Sequence, residues 1–468
     1  MRPINRNKKI LLTATLLATV VGSAFPAYAN DKEEIERLRA LIQELDQRVR
    51  VLDRKQEIAA EDAAAKQKAT PVVTASDKGF GIKSSDGQFE YKLRGLVHLD
   101  YRSFGGDAYP SALNGFLARR IRPTFEGTVF GKYGFRFTPE FGESGDGSAT
   151  SGSSQNKARI LDAYLDARLD PAFQIRFGKQ KPVVGLERLQ SGSDIKFIER
   201  SYISNNILPN RDLGVTISGD VLGKKLNYAV GLFNGVTDGG ESTTAQDTNT
   251  GKDFTARLFA TPFVGTDSNL AGLGFGVAVT NGNTRGNTLA SYKTPGQANS
   301  FFAYATGTQS NGNRNRVSPQ AYFYSGPFGL LTEYAVVNQE VMITLGKNKL
   351  KNDAWHVSAS WLLTGEDASY KGVKPYSPFK SGSDGGWGAF ELVGRYQEAN
   401  IDPNAVTFKS STAFALNAAS WLVGLNWYLN EDAKFAVNYE RTDFSNGTGS
   451  TLNGKQEEFL VARYQLAF

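Results

Sequence analysis

The stretch Phe89-Glu90-Tyr91-Lys92-Leu93-Arg94-Gly95-Leu96-Val97-His98-Leu99-Asp100-Tyr101-Arg102 alternates in character. Phe89, Tyr91, Leu93, Val97, Leu99 and Tyr101 share one phase, and Glu90, Lys92, Arg94, His98, Asp100 and Arg102 the other. A period of two places the sets on opposite faces of a strand. Phe135, Phe137 and Phe141 repeat the pattern around Arg136, Thr138 and Glu140, and Phe173, Ile175 and Phe177 around Gln174 and Arg176. Trp355, Val357, Ala359, Trp361 and Leu363 do so around His356, Ser358 and Ser360, and the alternation runs to the last residue.

The connections fall into two classes. Long polar stretches (Gly142 to Lys157, Asn234 to Lys252, Asn281 to Arg316, Phe444 to Gln456) alternate with tight turns such as Gly131 to Gly134, Asp170-Pro171, Gly326 to Gly329 and Asn430 to Asp432. The pattern parses into about sixteen antiparallel strands with both ends on the short-turn side. For the count to stay even, Phe301 to Gly307 must lie inside a long loop, and Thr364 to Gly388 is a long connection on the short side.

Upstream, residues 1–29 read as an export signal: Arg2, Arg6, Lys8 and Lys9 precede an apolar run, which ends at Ala27-Tyr28-Ala29. Ile35, Leu38, Ile42, Leu45, Val49, Leu52, Gln56, Ala59 and Ala63 then form a heptad seam, so 30–64 is expected to be a short periplasmic coiled coil, or else a helix packed on its own domain. Residues 65–79 read as a linker and 80–468 as the barrel.

Composition narrows the function. There is no Cys and there are only two His, so thiol nucleophiles and thiolate metal sites are excluded, and nothing points to a cofactor or a catalytic site. The signal holds four of the 53 basic residues and no acids, leaving 49 basic against 47 acidic, which removes the charge argument for nucleic acid. A soluble sandwich would also alternate. The export signal, the two loop classes and a final strand with Leu460, Ala462, Tyr464, Leu466 and Phe468 on one phase favour a bacterial outer-membrane barrel in contact with lipid. Tyr101, Trp421, Trp427 and Tyr428 suit aromatic girdles.

Sixteen strands enclose a channel too wide for side chains to fill, so function falls to the polar phase. That phase carries Lys92, Arg94, Arg102, Arg120, Arg122, Arg136, Arg168, Arg176, Arg257, Arg395 and Arg463, chemistry that attracts anions and matches phosphate oxygens with paired donors. Acids share it, and residues 80–468 hold 39 basic against 36 acidic residues, so net charge alone does not set selectivity. The connection between Arg176 and Arg211 contains Phe197, Ile198 and Ile203. It must bury them, either by folding inward, which brings Lys181, Arg188, Lys196 and Arg200 toward the pore, or by latching onto a neighbouring subunit.

In its ordered blocks the chain resembles the phosphate-selective porin O and P family. The blocks are Arg119-Arg120 with Glu126-Gly127-Thr128, Gly178 to Lys181, Phe197 to Arg200, Arg211 to Gly214, Val230 to Gly235, Tyr324 to Glu333, Leu363 to Glu366 with Gly372 to Pro375, and Gly424 to Asn430. The resemblance implies a homotrimeric sixteen-stranded channel with an inward third loop that passes phosphate or polyphosphate. It puts Arg119 and Arg120 at the family's paired constriction arginines. Only one of two consecutive residues can face inward from a regular strand, so Arg119 requires a bulge or a loop position. A general, weakly selective porin and an outer-membrane hydrolase built on His98 or on His356 with Ser358 and Ser360 are the alternatives.

Overall fold

The computed structural model describes residues 31–76, 79–143, 158–243, 247, 251–343, 346–382 and 385–468. The export signal lies outside them. The chain divides into two units, 1–70 and 71–468.

In the first, helix α1 spans Asp31–Ala69, with Glu44–Arg48 and Asp46–Arg50 ion pairs of 2.6 and 2.9 Å one turn apart. Ile35, Leu38, Ile42, Leu45, Val49 and Leu52 are exposed along one seam. The helix outruns the boundary expected at residue 64, because alanine, the strongest helix former, fills its last turns. The expected linker 65–79 is thus largely regular structure: β-branched Val72 and Val73 open strand β1 (Val72–Ser76), which forms a hairpin with β2 (Gly79–Lys83).

The second unit continues with β3 (Glu90–Gly106), β4 (Gly115–Val129), β5 (Tyr133–Glu140), β6 (Arg159–Asp170), β7 (Phe173–Gln180), β8 (Asp212–Val221), β9 (Leu226–Phe233), β10 (Asp253–Ala260) and β11 (Leu273–Thr288). A small hairpin, β12 (Tyr292–Lys293) and β13 (Ser300–Phe302), precedes β14 (Gln309–Ser325), β15 (Phe328–Ile343), β16 (Gly346–Leu362), β17 (Ala389–Asn400), β18 (Asn417–Tyr428), β19 (Ala433–Ser445) and β20 (Gln456–Ala467). Each wall strand is antiparallel to the next, and β20 returns to β3 from Glu457–Gly106 to Ala467–Leu96. Among the described residues this is a closed barrel of sixteen strands, and no helix is long and apolar enough to cross a membrane.

The seam has its own device. Phe468 exchanges backbone hydrogen bonds of 2.8 and 3.0 Å with Gly95, and its ring lies where a Cβ on Gly95 would come within 2.4 Å. Strand β2 of the β1–β2 hairpin pairs with β3 at Glu90 to Leu93, beyond the reach of β20, and sets Phe80 edge-on to Phe468 at 5.9 Å.

The alternation holds around the wall. Trp421, Val423 and Leu425 face out, and Gln397, Glu391 and Arg395 face in. Trp355–Tyr396 and Trp421–Tyr439 mark one aromatic belt; Phe328–Trp361 and Phe390–Trp427–Phe435–Tyr464 mark the other. Trp421 and Trp427 are six residues apart on β18, about 20 Å along a tilted strand. Tyr428, expected in a girdle, is instead buried inside, where its hydroxyl donates to Glu391 at 2.7 Å.

One connection corrects the reading of loop lengths, and a second agrees with it. Much of Asn281 to Arg316 is strand, because β11 and β14 run on as a Gly/Asn-rich ladder that no apolar alternation marks. Within the remaining loop Phe301 and Phe302 are fully buried, and among the described residues β13 pairs with β12 and with no wall strand, which places that segment inside a long loop, as the even count requires. Residues 363–388 do form a long connection on the short-turn side. They pack Ala368 and Val373 against inward-facing Leu362, Ala389 and Tyr428.

Candidate functional site

The loop between β7 and β8 crosses the barrel interior. Phe197 packs on Val393 and Leu422, Ile198 on Ala436, Phe459 and Val461, and Ile203 joins the main core with Phe301, Ala335 and Val337. Burial of these apolar side chains drives the crossing, and lumen-facing polar groups fix its register. Ile198 N donates to Asn438 Oδ1 at 2.8 Å, Tyr202 N to Gln397 Oε1 at 2.9 Å, Lys434 Nζ to Ile195 O at 2.9 Å and Arg463 to Ile198 O at 2.7 Å. At its one-turn helix α2 (Leu186–Leu189), the Leu186 and Glu187 amides donate to the Glu333 carboxylate at 2.6 and 2.9 Å. Tyr370, on the long short-side connection, donates to Leu186 O at 2.5 Å.

With the loop laid along β15–β20, open space remains against β3–β7. A vestibule of about 920 Å³ at the short-turn end is bordered by Arg94, Arg122, Arg136, Arg176 and Lys181 together with Lys371, Lys374 and Lys434. An inner cavity of about 160 Å³ is bordered by Arg119, Arg120, Arg122, Arg159, Lys181, Arg188, Arg200, Arg211 and Lys293, with Glu241 the single carboxylate on its lining among the described residues. Arg122, Lys181, Gly192 and Arg211 border both spaces.

The tandem arginines both reach this cavity because of a bulge. His98 pairs with Arg120 and Leu99 with Ala118, so Arg119 is the extra residue on β4. Their partners differ. Arg119 is bidentate on Glu199 at 2.7 and 3.2 Å, Arg122 pairs with Glu140 at 2.5 Å and Arg211 with Asp162 at 3.0 Å. Arg120, Lys181, Arg188 and Arg200 meet neutral acceptors: His98 Nδ1 at 3.2 Å, Gln190 O at 2.8 Å, Asn210 Oδ1 at 2.9 Å and Gln190 O at 2.8 Å. Burial, with Arg200 and Arg211 alongside, holds the Lys181 ammonium well below its usual range, and burial with Arg200 and Arg211 does the same to Arg188. Positive charges that crowd one another in a partly dry space are stabilised by an entering anion.

A family model, the phosphate-selective porin O and P family, matches residues 89–468. The chain belongs to this family. The porin is 23% identical to Porin O of Pseudomonas aeruginosa over 429 residues, covering 85% of this chain and 92% of Porin O. In fold it is similar to the outer-membrane channel DcaP of Acinetobacter baumannii, with 13% identity, 83% and 99% of the two chains covered and a TM-score of 0.52. Pseudomonas putida OprB is similar at 9% identity, with 82% and 95% covered and a TM-score of 0.50. The porin is a β-barrel of the bacterial outer membrane, a channel for passive diffusion.

Of the residues singled out in the sequence, Arg119, Arg120, Arg122, Lys181, Arg188 and Arg200 border the inner cavity, and Arg94, Arg136 and Arg176 the vestibule. Arg257 and Lys196 border neither space, and nor do Arg102, Arg168, Arg395 and Arg463 of the inward phase. Arg257 stacks over Phe259 at 4.4 Å and donates to Gln320 at 3.0 Å, and Lys196 is clamped to Glu391 where the loop meets the wall. Alternation shows that a side chain faces inward but not what covers it there. Arg159, Arg211 and Lys293 went unnoticed as site residues. Lys293 rides on the loop that buries Phe301 and Phe302, a sign of the same kind as Phe197-Ile198 in the loop after β7.

His356 Nδ1 lies 3.0 Å from Ser358 Oγ and its Nε2 3.5 Å from Glu333, the contact that a hydrolase reading would want. His356 is fully buried, and both Glu333 oxygens already accept loop amides. Glu187, whose carboxylate lies near both, is engaged by Ser201, Ser204 and Arg395. The group anchors the loop.

Proposed function

We propose that this porin conducts small anions, phosphate or polyphosphate foremost, through the inner cavity, and that it does so as a homotrimer without carrying out chemistry. The observation that carries the reading is the surplus of positive charge: of the nine cationic side chains that border the cavity, Arg119, Arg122, Arg159 and Arg211 are paired with carboxylates, whereas Arg120, Lys181, Arg188 and Arg200 are held by neutral acceptors. Guanidiniums present paired donors in the geometry that a phosphate accepts. The exposed Ile35 to Leu52 seam of α1 supports bundling of this helix between copies into a periplasmic stalk.

The test is the zero-current potential of the purified protein in a planar bilayer under a KCl gradient, followed by titration of the chloride current with phosphate. Strong anion preference with saturable block is the expected result. Weak selectivity without block would make it a general porin on the same scaffold, and no conductance would reject the reading.

A further inference from the structure

Arg120 stands apart in how it is held. It is 4% exposed and faces Arg119, Arg122, Arg200 and Arg463, yet among the described residues no carboxylate lies within 4.0 Å of its guanidinium. Its one hydrogen-bond partner among the described residues is the Nδ1 of His98, directly opposite on β3, at 3.2 Å. Its Nε has no protein partner and it borders the inner cavity.

An arginine has only donors, so the imidazole nitrogen facing it must carry a lone pair. His98 is fully buried, with Arg122 on β4 and Arg463 on β20 to either side, and accepting on Nδ1 leaves its ring proton to Nε2, which has no hydrogen-bond partner among the described residues. A carboxylate at that point would orient the guanidinium equally well but cancel its charge, as Glu199 does for Arg119 and Glu140 for Arg122. An imidazole lone pair orients it and leaves the charge for the solute.

We infer that His98 is a positioning residue for anion passage: an uncharged acceptor that aims Arg120 into the cavity at full charge. This rests on the anion-channel reading above.

The experiment uses the full-length protein in planar bilayers, with folding of each variant checked by heat-modifiable mobility. His98→Asn keeps an acceptor oxygen near the place of Nδ1, and His98→Asp puts a carboxylate there in the same shape. His98→Phe keeps the ring and has no acceptor. The expected result is a wild-type anion-to-cation permeability ratio in Asn and a severalfold lower ratio in Asp. In Phe, low-salt chloride conductance should fall while Asn retains it. A role confined to packing would treat Asn and Asp alike, so equal ratios in those two variants, both matching wild type, would overturn the inference. Should the Asp variant not assemble, equal chloride conductance in Phe, Asn and wild type would overturn it instead. Absence of phosphate block in the wild type would sink the phosphate reading but leave the comparison of Asn with Asp to decide the role of His98.

Discussion

Arg119 on β4 and Glu199 on the inward loop form a bidentate pair, Nε–Oε1 at 2.7 Å and Nη2–Oε2 at 3.2 Å, inside the barrel. Arg102 also donates to Glu199, at 2.5 Å. One of two consecutive arginines thus ties the loop to the wall, while its neighbour Arg120 borders the inner cavity with His98 as its acceptor.

Breaking that tie is expected to be costly. Glu199→Gln leaves Arg119 and Arg102 buried with half an acceptor, at a cost of about 3–5 kcal/mol by analogy with other buried pairs. The check is a lower thermal midpoint with a noisier open channel. The pH dependence has a sign. Burial pushes the Glu199 carboxyl up, but Arg119 and Arg102 prevail and hold it well below its ordinary value. The contribution is therefore complete above the unfolded value, about pH 4.3, and is lost only as pH falls through the lowered one.

Replacing Arg120 by Glu changes the cavity's charge by two while surrounding the new carboxylate with Arg119, Arg122, Arg200 and Arg463. Assembly is expected to survive and anion preference to drop severalfold. The reversal potential under a KCl gradient measures it, and an unchanged value would remove Arg120 from the pathway.

Gly192 borders both cavities. A Cβ there would lie 2.9 Å from Leu96 Cδ2 and 3.4 and 3.5 Å from the Arg122 and Arg120 guanidiniums. These are ends of movable side chains, so Gly192→Val should fold, with reduced single-channel conductance as the outcome.

Lys181 supplies a pH signature. Its depressed proton affinity means that it discharges at lower pH than an exposed lysine. Anion preference in chloride, where the solute's own ionisation does not enter, should decline with rising pH before the ordinary lysine range is reached. Lys181→Arg, which does not titrate in that range, should flatten the profile.

Alternation made the barrel legible, since a wall with lipid on one side and water on the other leaves the same period-two record in each strand. Two finer features were legible as well. Consecutive Arg119 and Arg120 cannot both face inward from a regular strand, and Leu99 does slip to Ala118 to make room. Phe197, Ile198 and Ile203 cannot remain in water, and they cross the interior to the far wall. The Asn281 to Arg316 ladder was illegible because β11 and β14 carry polar residues on both faces along that stretch.

The sequence by itself determined the phase of the alternating strands and the number of crossings, because those follow from period-two geometry and from the water-to-lipid boundary. Only the tertiary structure decided which inward cations are paired with a carboxylate and which meet a neutral acceptor. Glu199 reaches Arg119 from 80 residues away, His98 meets Arg120 across a bulge, and Glu391 captures Lys196 where the loop lands. Such pairings depend on height and direction around the barrel and on where the loop crosses, and alternation along a single strand carries none of these.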